Sequence, residues 1–234
     1  MKLMIIGGLQ KLTLIDYPGK LAATVFTAGC NFFCEFCHNP DLVLVKKTGS
    51  EPFMTREQFF WWLEKKLGLL DGICITGGEP TIHPSLPEFI KEIKDLGFSV
   101  KLDTNGTNPE MLEKLLNKNL VDYLAMDIKS SLERYYKFSR IKFDIKKIQK
   151  SVDLVRQAPE YEFRTTVIPL FHDKNELNSI AKWLKGAKKY ALQQFRAEKT
   201  LDPRCSLLKS YSDEELRNFC QLLQPYFEAC ELRL

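Results

Sequence analysis

Short apolar runs alternate with longer amphipathic stretches along most of this 234-residue chain, and that alternation constrains the fold more than any other feature. Residues 21–28 (LAATVFTA) read as a buried strand. Residues 55–70 read as a helix: Thr55 is a candidate N-cap, Gln58 completes a capping box, and Phe59, Trp62, Leu63 and Leu67 follow at helical spacing. The pattern then repeats. Strands at 72–76, 98–102, 123–128, 162–168 and 191–195 take turns with helices at 87–96, 109–118, 145–157, 175–184 and 213–227, and residues 230–234 add a further strand. Regular strand–helix units predict a parallel sheet with right-handed crossovers. A closed barrel of eight units typically takes about 250 residues. Six units therefore predict an α/β fold, a partial (β/α)6 TIM-like barrel open on one side. Nothing in the chain reads as a linker, repeat or low-complexity stretch, so residues 1–234 are expected to form a single domain, with a lead-in segment of about residues 1–20.

Composition narrows the class. Apolar residues make up 44% and charged residues 27%, an ordinary balance for a globular chain, and a net charge of +4 is too mild to argue for nucleic acid. No apolar run approaches a membrane span, and the first residues turn to Gly7-Gly8 too early for a signal-peptide core. A cytoplasmic location follows as the expectation. The seven cysteines are odd in number and lack a secretion signal, which argues against a disulfide framework. Cys74, Cys205, Cys220 and Cys230 are scattered and read as structural.

The unusual polar motifs all fall just after predicted strands. Cys30–Cys37 follows the first, Gly77-Gly78-Glu79-Pro80 the second, Asp103-Thr104-Asn105-Gly106 the third, and Asp127 ends the fourth. In parallel α/β folds ligands bind at the carboxyl edge of the strands, so four motifs on one rim imply one shared site. Three cysteines crowd into eight residues at Cys30, Cys34 and Cys37. Thiolates select zinc, copper or iron–sulfur clusters. A structural zinc and an ordinary electron-transfer cluster each want four protein ligands; three cysteines would leave one iron open to a substrate or cofactor. A zinc site that borrows a distant ligand, or chance core cysteines, are the alternatives. In Gly77-Gly78 two glycines allow close backbone approach, and Glu79 offers one anion to a cationic ammonium.

CxxxCxxC with an aromatic residue before the last cysteine, here Cys30, Cys34, Phe36 and Cys37, resembles the signature of radical S-adenosylmethionine (SAM) enzymes. That resemblance implies one [4Fe–4S] cluster whose open iron chelates the amine and carboxylate of SAM. The reduced cluster then breaks the sulfonium bond, and a 5′-deoxyadenosyl radical abstracts hydrogen. It further implies that Phe36 packs on the adenine, that Gly77, Gly78, Glu79 and Pro80 hold the SAM amine, and that Asp103, Asn105 and Asp127 lie at the cofactor. Asp103 and Asp127 would do so in the manner of members that place a monovalent cation near the SAM carboxylate. Lys129 belongs to the same matching segment, and Arg164 would meet the SAM carboxylate or ribose, with a structural ion pair as its alternative. Gln193, Gln194 and Arg196 on the sixth strand are candidates for the same cavity. His38 and Asn39 are candidates for hydrogen bonds near the cluster, and His83 and His172 read as loop histidines.

Residues 8–20 (GLQKLTLIDYPGK) are similar to the opening of anaerobic ribonucleoside-triphosphate reductase activating proteins, and the DTNG motif and the Cys37-His38-Asn39 run also occur in activases of glycyl-radical enzymes. Fifteen residues, 40–54, lie between Asn39 and Thr55, too few for a second ferredoxin-like insert. The resemblance implies a glycyl-radical enzyme as partner, whose loop enters the open side of the barrel past Asp16, and a reductant such as flavodoxin or ferredoxin. The runners-up are a radical SAM enzyme acting on a small molecule or nucleobase, as in carboxy-deazaguanine synthases, an activase of a different glycyl-radical enzyme, and a non-catalytic iron–sulfur or zinc module. Residues 129–150 carry eight Lys/Arg against two acidic residues, which reads as a solvated helix face or a docking surface for an acidic protein.

Overall fold

The computed structural model describes residues 4–43, 53–136 and 143–234. Eight strands form one sheet in sequence order: β1 (Ile6–Thr13), β2 (Ala22–Thr27), β3 (Gly72–Gly77), β4 (Ser99–Thr104), β5 (Tyr123–Asp127), β6 (Glu160–Val167), β7 (Lys189–Gln194) and β8 (Ala229–Arg233). Neighbours from β2 to β8 pair in parallel. The crossovers contain α1 (Arg56–Glu64), α2 (Leu86–Asp95), α3 (Pro109–Asn117), α4 (Ile145–Val155), α5 (Lys174–Trp183) and α6 (Asp213–Leu223). The six predicted strand–helix units are all present. Among the described residues the sheet stays open between its edge strands, β1 and β8.

Strand β1 is the departure from the sequence reading, which left residues 1–20 as a lead-in. It pairs antiparallel with β2. Only its end residues, Ile6 and Thr13, are buried, so an edge strand exposed along its middle has no alternating signature. The first helix also stops earlier than expected, at Glu64, although its capping box between Thr55 and Gln58 forms. The last gives way after Leu223 to a 3₁₀ turn at Gln224–Tyr226, because Pro225 cannot continue the α-helical hydrogen bonding.

The two faces of the sheet differ. Ala23, Val25, Ile73, Ile75, Val100, Leu102, Leu124 and Met126 point outward into a core shared with helix residues such as Phe59, Leu86, Phe89 and Ile90. Burying each large apolar side chain of this kind is worth about 1.5–3 kcal/mol. The inner face carries polar groups instead. Thr24, Lys101 and Glu162 are all at most 1% exposed, above a small apolar plug of Tyr17, Ala22, Tyr123 and Ala125. An apolar exterior under helices and a polar interior leave the strand ends as the place where chemistry can collect. Among the described residues no helix is long and apolar enough to cross a membrane.

Candidate active site

The rim motifs converge. One cavity enclosing about 900 Å³, its mouth included, is lined by Cys30, Cys34, Phe36 and Cys37 from the loop after β2 and by Gly77, Gly78 and Glu79 after β3. Asp103 and Asn105 at the end of β4, Asp127 and Lys129 after β5, Thr166 of β6 and Gln193 of β7 close it. Pro80 is buried behind the wall, where it opens a 3₁₀ turn. Gln194, Arg196 and Arg164 line a second cavity instead. Thr166, Phe32 and Val43 were missed from the sequence. Thr166 had a usable signal, since it stands two residues after Arg164 and so shares its face of the strand.

Cys34 is 8% exposed, and Cys30 and Cys37 are half-buried. Burial pushes the Cys30 thiol up to about 12, with Glu79 adding to it, and Cys34 up to about 11 despite the opposing pull of Lys129. A soft metal must therefore displace protons to bind here. The loop is tied down from outside. The Asn31 amide donates to Thr107 Oγ1 (2.7 Å) and its carbonyl accepts from the Asn105 amide (2.9 Å), joining the cysteine loop to the DTNG turn. His38 stacks on Phe195 and its Nε2 meets the Arg196 carbonyl at 2.8 Å.

The two glycines serve the protein first. Gly77 has φ +109°, and a Cβ on Gly78 would stand 2.0 Å from the Gly29 carbonyl oxygen. Gly78 N–H donates to the Thr27 carbonyl and Glu79 N–H to the Gly29 carbonyl, at 2.8 and 2.9 Å. The glycine turn and the cysteine loop thus interlock through backbone. Gly78→Ala should cost about 1–3 kcal/mol and push the loop outward. The measurable outcome is less bound iron per chain after reconstitution; full iron content would show that the interlock does not matter.

Glu79 is 1% exposed. Its Oε1 accepts from Thr81 N (3.1 Å), Thr81 Oγ1 and Thr104 Oγ1 (2.8 Å), while Oε2 accepts only from Asn105 N (2.6 Å). Burial raises its pKa, against the pull of those donors. The sequence reading aimed this carboxylate at a ligand; two of its four bonds stay within its own turn, at Thr81, two bind that turn to the DTNG turn, and Oε2 keeps spare acceptor capacity at the cavity wall.

Arg164 spans the two aspartates. Its Nη1 donates to Asp103 Oδ2 at 3.0 Å and its Nε to Asp127 Oδ1 at 2.9 Å. Lys101 donates to Asp103, and Lys129 to Asp127 at 3.0 Å. Burial works against both carboxylates, but Arg164, with Lys101 or Lys129, holds them below the usual range. The two aspartates, near which the resemblance implies a monovalent cation in some members, are bridged here by one guanidinium.

His172, read as a loop residue, is fully buried. Ile168 N–H donates to its Nδ1 (3.1 Å), so the proton sits on Nε2 and is donated to the Lys129 carbonyl (2.9 Å). Burial lowers its pKa to about 4. A depressed histidine contributes stability above its unfolded pKa of about 6.5 and loses it as pH falls toward 4. Cluster-free protein should lose roughly 3 kcal/mol of unfolding free energy across that window from this group alone. His172→Gln should flatten the profile; an unchanged slope would place the acid sensitivity elsewhere.

A partial barrel with three thiols and a polar cradle on its rim has the donors to hold a soft metal and a small polar ligand side by side. The chain belongs to the radical SAM superfamily, whose family model matches residues 24–184. A protein of Methanocaldococcus jannaschii named as a glycyl-radical enzyme activating enzyme is 36% identical over 98% of this chain and 95% of its own length. Pyruvate formate-lyase-activating enzyme of Clostridium pasteurianum is 28% identical over 56% of this chain and 55% of its own. Among solved structures, Streptococcus suis SuiB bound to S-adenosylmethionine superposes with a TM-score of 0.63 at 12% identity, over 86% of this chain and 48% of that one, and shares the fold.

Radical SAM enzymes use a [4Fe–4S] cluster and SAM, and this chain is such an enzyme. The donor set fits. Three soft thiols share one wall of the cavity and hydrogen-bonding groups share the others. Among the described residues no three His, Cys, Asp or Glu converge on a single ion; thiols that each take a separate iron of a cluster need not converge.

Proposed function

We propose that the enzyme is an activase that abstracts a Cα hydrogen from a glycine of a partner protein, and that the partner is an anaerobic ribonucleoside-triphosphate reductase. Cys30, Cys34 and Cys37 would hold three irons, leaving the fourth for the amine and carboxylate of SAM. Glu79 Oε2 and the backbone of Gly77 and Gly78 would receive the ammonium, Phe36 the adenine, and Lys129 the carboxylate. Bound there, cluster and SAM would supply a 5′-deoxyadenosyl radical once a donor such as flavodoxin or ferredoxin provides one electron.

The observation that carries the partner reading is a second cavity, lined by Ile15, Asp16 and Pro18 near β1 and by Arg164, Glu231 and Arg233 on β6 and β8. It lies at the unclosed side of the sheet, and Gln193 lines both cavities. A loop entering between the sheet edges would thus end at the cofactor. Leu14 and Ile15, in the LIDYPG run that resembles the reductase activases, are 74% and 82% exposed beside that entrance. Asp16, fixed by the Thr24 hydroxyl at 2.6 Å, would meet the incoming backbone.

The test is anaerobic incubation of the reconstituted enzyme with reductant, SAM and either the reductase or pyruvate formate-lyase. A glycyl-radical doublet in the paramagnetic resonance spectrum of the reductase alone supports the reading. A doublet only on the lyase reassigns the partner, and SAM cleavage with no doublet on either rejects protein activation by these two routes.

A further inference from the structure

Away from the cofactor, Cys220 of α6 and Cys230 of β8 face each other. Their sulfurs are 3.3 Å apart, and Cys220 Sγ also lies 3.3 Å from the Cys230 carbonyl oxygen. Both residues are half-buried, whereas Cys74 is completely enclosed. The short link between helix and strand is held in place by the Gln224 side chain, which accepts from Cys230 N–H at 3.2 Å. A disulfide has its sulfurs at about 2.05 Å. The pair therefore needs to close by only a little over 1 Å, a movement within reach of side-chain rotation.

We infer that Cys220 and Cys230 form a thiol–disulfide pair that oxidises by exchange with a low-molecular-weight disulfide. The thiolate of one cysteine attacks the small disulfide, forming a mixed disulfide and releasing one small thiol. The second cysteine, already adjacent, loses its proton and attacks the protein sulfur of that mixed disulfide, releasing the second small thiol. Two electrons pass from the pair to the reagent, and the two protons end on the released thiols. The bond fastens α6 to β8. Because β8 is an edge strand whose Glu231 and Arg233 line the second cavity, the oxidised form has a firmer wall at the open side of the barrel. Arg233 also grips buried Glu162 at 3.0 and 2.6 Å, so the strand's position is transmitted toward the barrel interior.

The experiment uses the full-length, cluster-loaded protein in anaerobic glutathione buffers of rising disulfide fraction, followed by acid quench, alkylation and trypsin. Arg217 and Arg233 flank the pair with no Lys or Arg between them, so both cysteines travel in peptide 218–233. The expected result is a peptide that loses two hydrogens and escapes alkylation in a single transition. The thermal midpoint should rise by about 5 °C, and dithiothreitol should reverse both changes. Cys220→Ser and Cys230→Ser should each prevent the bridge. A peptide that stays alkylatable in fully oxidised glutathione, or that carries glutathione on both sulfurs, would overturn the inference. The mass readout is independent of the partner and of SAM cleavage, so it stands or falls apart from the activase reading.

Discussion

Replacing Cys34 with Ala should abolish reductive SAM cleavage, lowering the rate at least about 10³-fold to background, and should remove most of the bound iron while leaving far-ultraviolet circular dichroism unchanged. Cys34 lies in the middle of the cysteine loop and is nearly enclosed by the cavity. Its thiol is small, and its neighbours Phe32 and Phe36 anchor the loop in the core independently. Loss of the sulfur should therefore be chemical rather than structural. Cys74 provides the control. It is more deeply buried, on β3 beside Lys101 at 3.8 Å, and it does not line the cavity. Cys74→Ala should lose some stability by cavity creation but keep its iron. Retention of iron and cleavage in Cys34→Ala would remove the cluster from this loop, and equal loss in Cys74→Ala would show that iron retention reports on folding alone.

The contrast between these cysteines was legible before any coordinates, because ligand spacing is a local property. Cys30, Cys34 and Cys37 declare themselves within one loop, and the alternation of strands and helices places that loop on the same rim as Glu79, Asp103 and Asp127. What sequence cannot express is which rim groups satisfy one another. Strand register sets Asp127 opposite Arg164 and Asp103 level with Ala125 and Glu162, so that one guanidinium reaches both aspartates. Read one residue at a time, the aspartates look free to hold a cation. Glu79 has the same kind of hidden partners: besides the local bonds from Thr81, it accepts from Thr104 and Asn105, some twenty-five residues on. The basic stretch 129–150 also divides once folded. Lys129 pairs with Asp127 at the cavity, Arg134 with buried Glu176, and Lys147 and Lys150 with Glu110 and Glu113 on the surface. Lys137, Phe138, Arg140 and Lys142 lie outside the described residues. Strand β1 escaped notice because an edge exposed along its middle has no periodic pattern to detect.

Arg164→Met should cost about 3–5 kcal/mol at pH 7, the expense of leaving buried charge uncompensated. The side chains of Arg164 and Asp103 are 11% and 12% exposed, and that of Asp127 is 31% exposed. Methionine fills similar volume, so packing is nearly conserved and the loss is electrostatic. Burial is the largest single influence on both aspartates and raises them, but they are held below their ordinary range by the cations around them, Arg164 foremost. Carboxylates of this kind add stability above their unfolded pKa of about 4, and that stability is lost as pH falls through the lower folded values. Without Arg164, burial dominates and the folded pKa values rise. The deficit of the variant should therefore be large at pH 7 and shrink as pH falls, because the variant's carboxyls take up protons first, closing only below the lower folded values of the parent protein. Guanidinium unfolding of cluster-free protein across that range measures it. Adding Asp103→Asn to Arg164→Met should recover part of the loss, because it removes one of the two charges stranded by the first substitution, and the cycle of variants should show coupling of about 0.5–3 kcal/mol. A deficit independent of pH, with additive variants, would mean that Arg164 acts through packing and that the carboxylates are held by Lys101 and Lys129 alone.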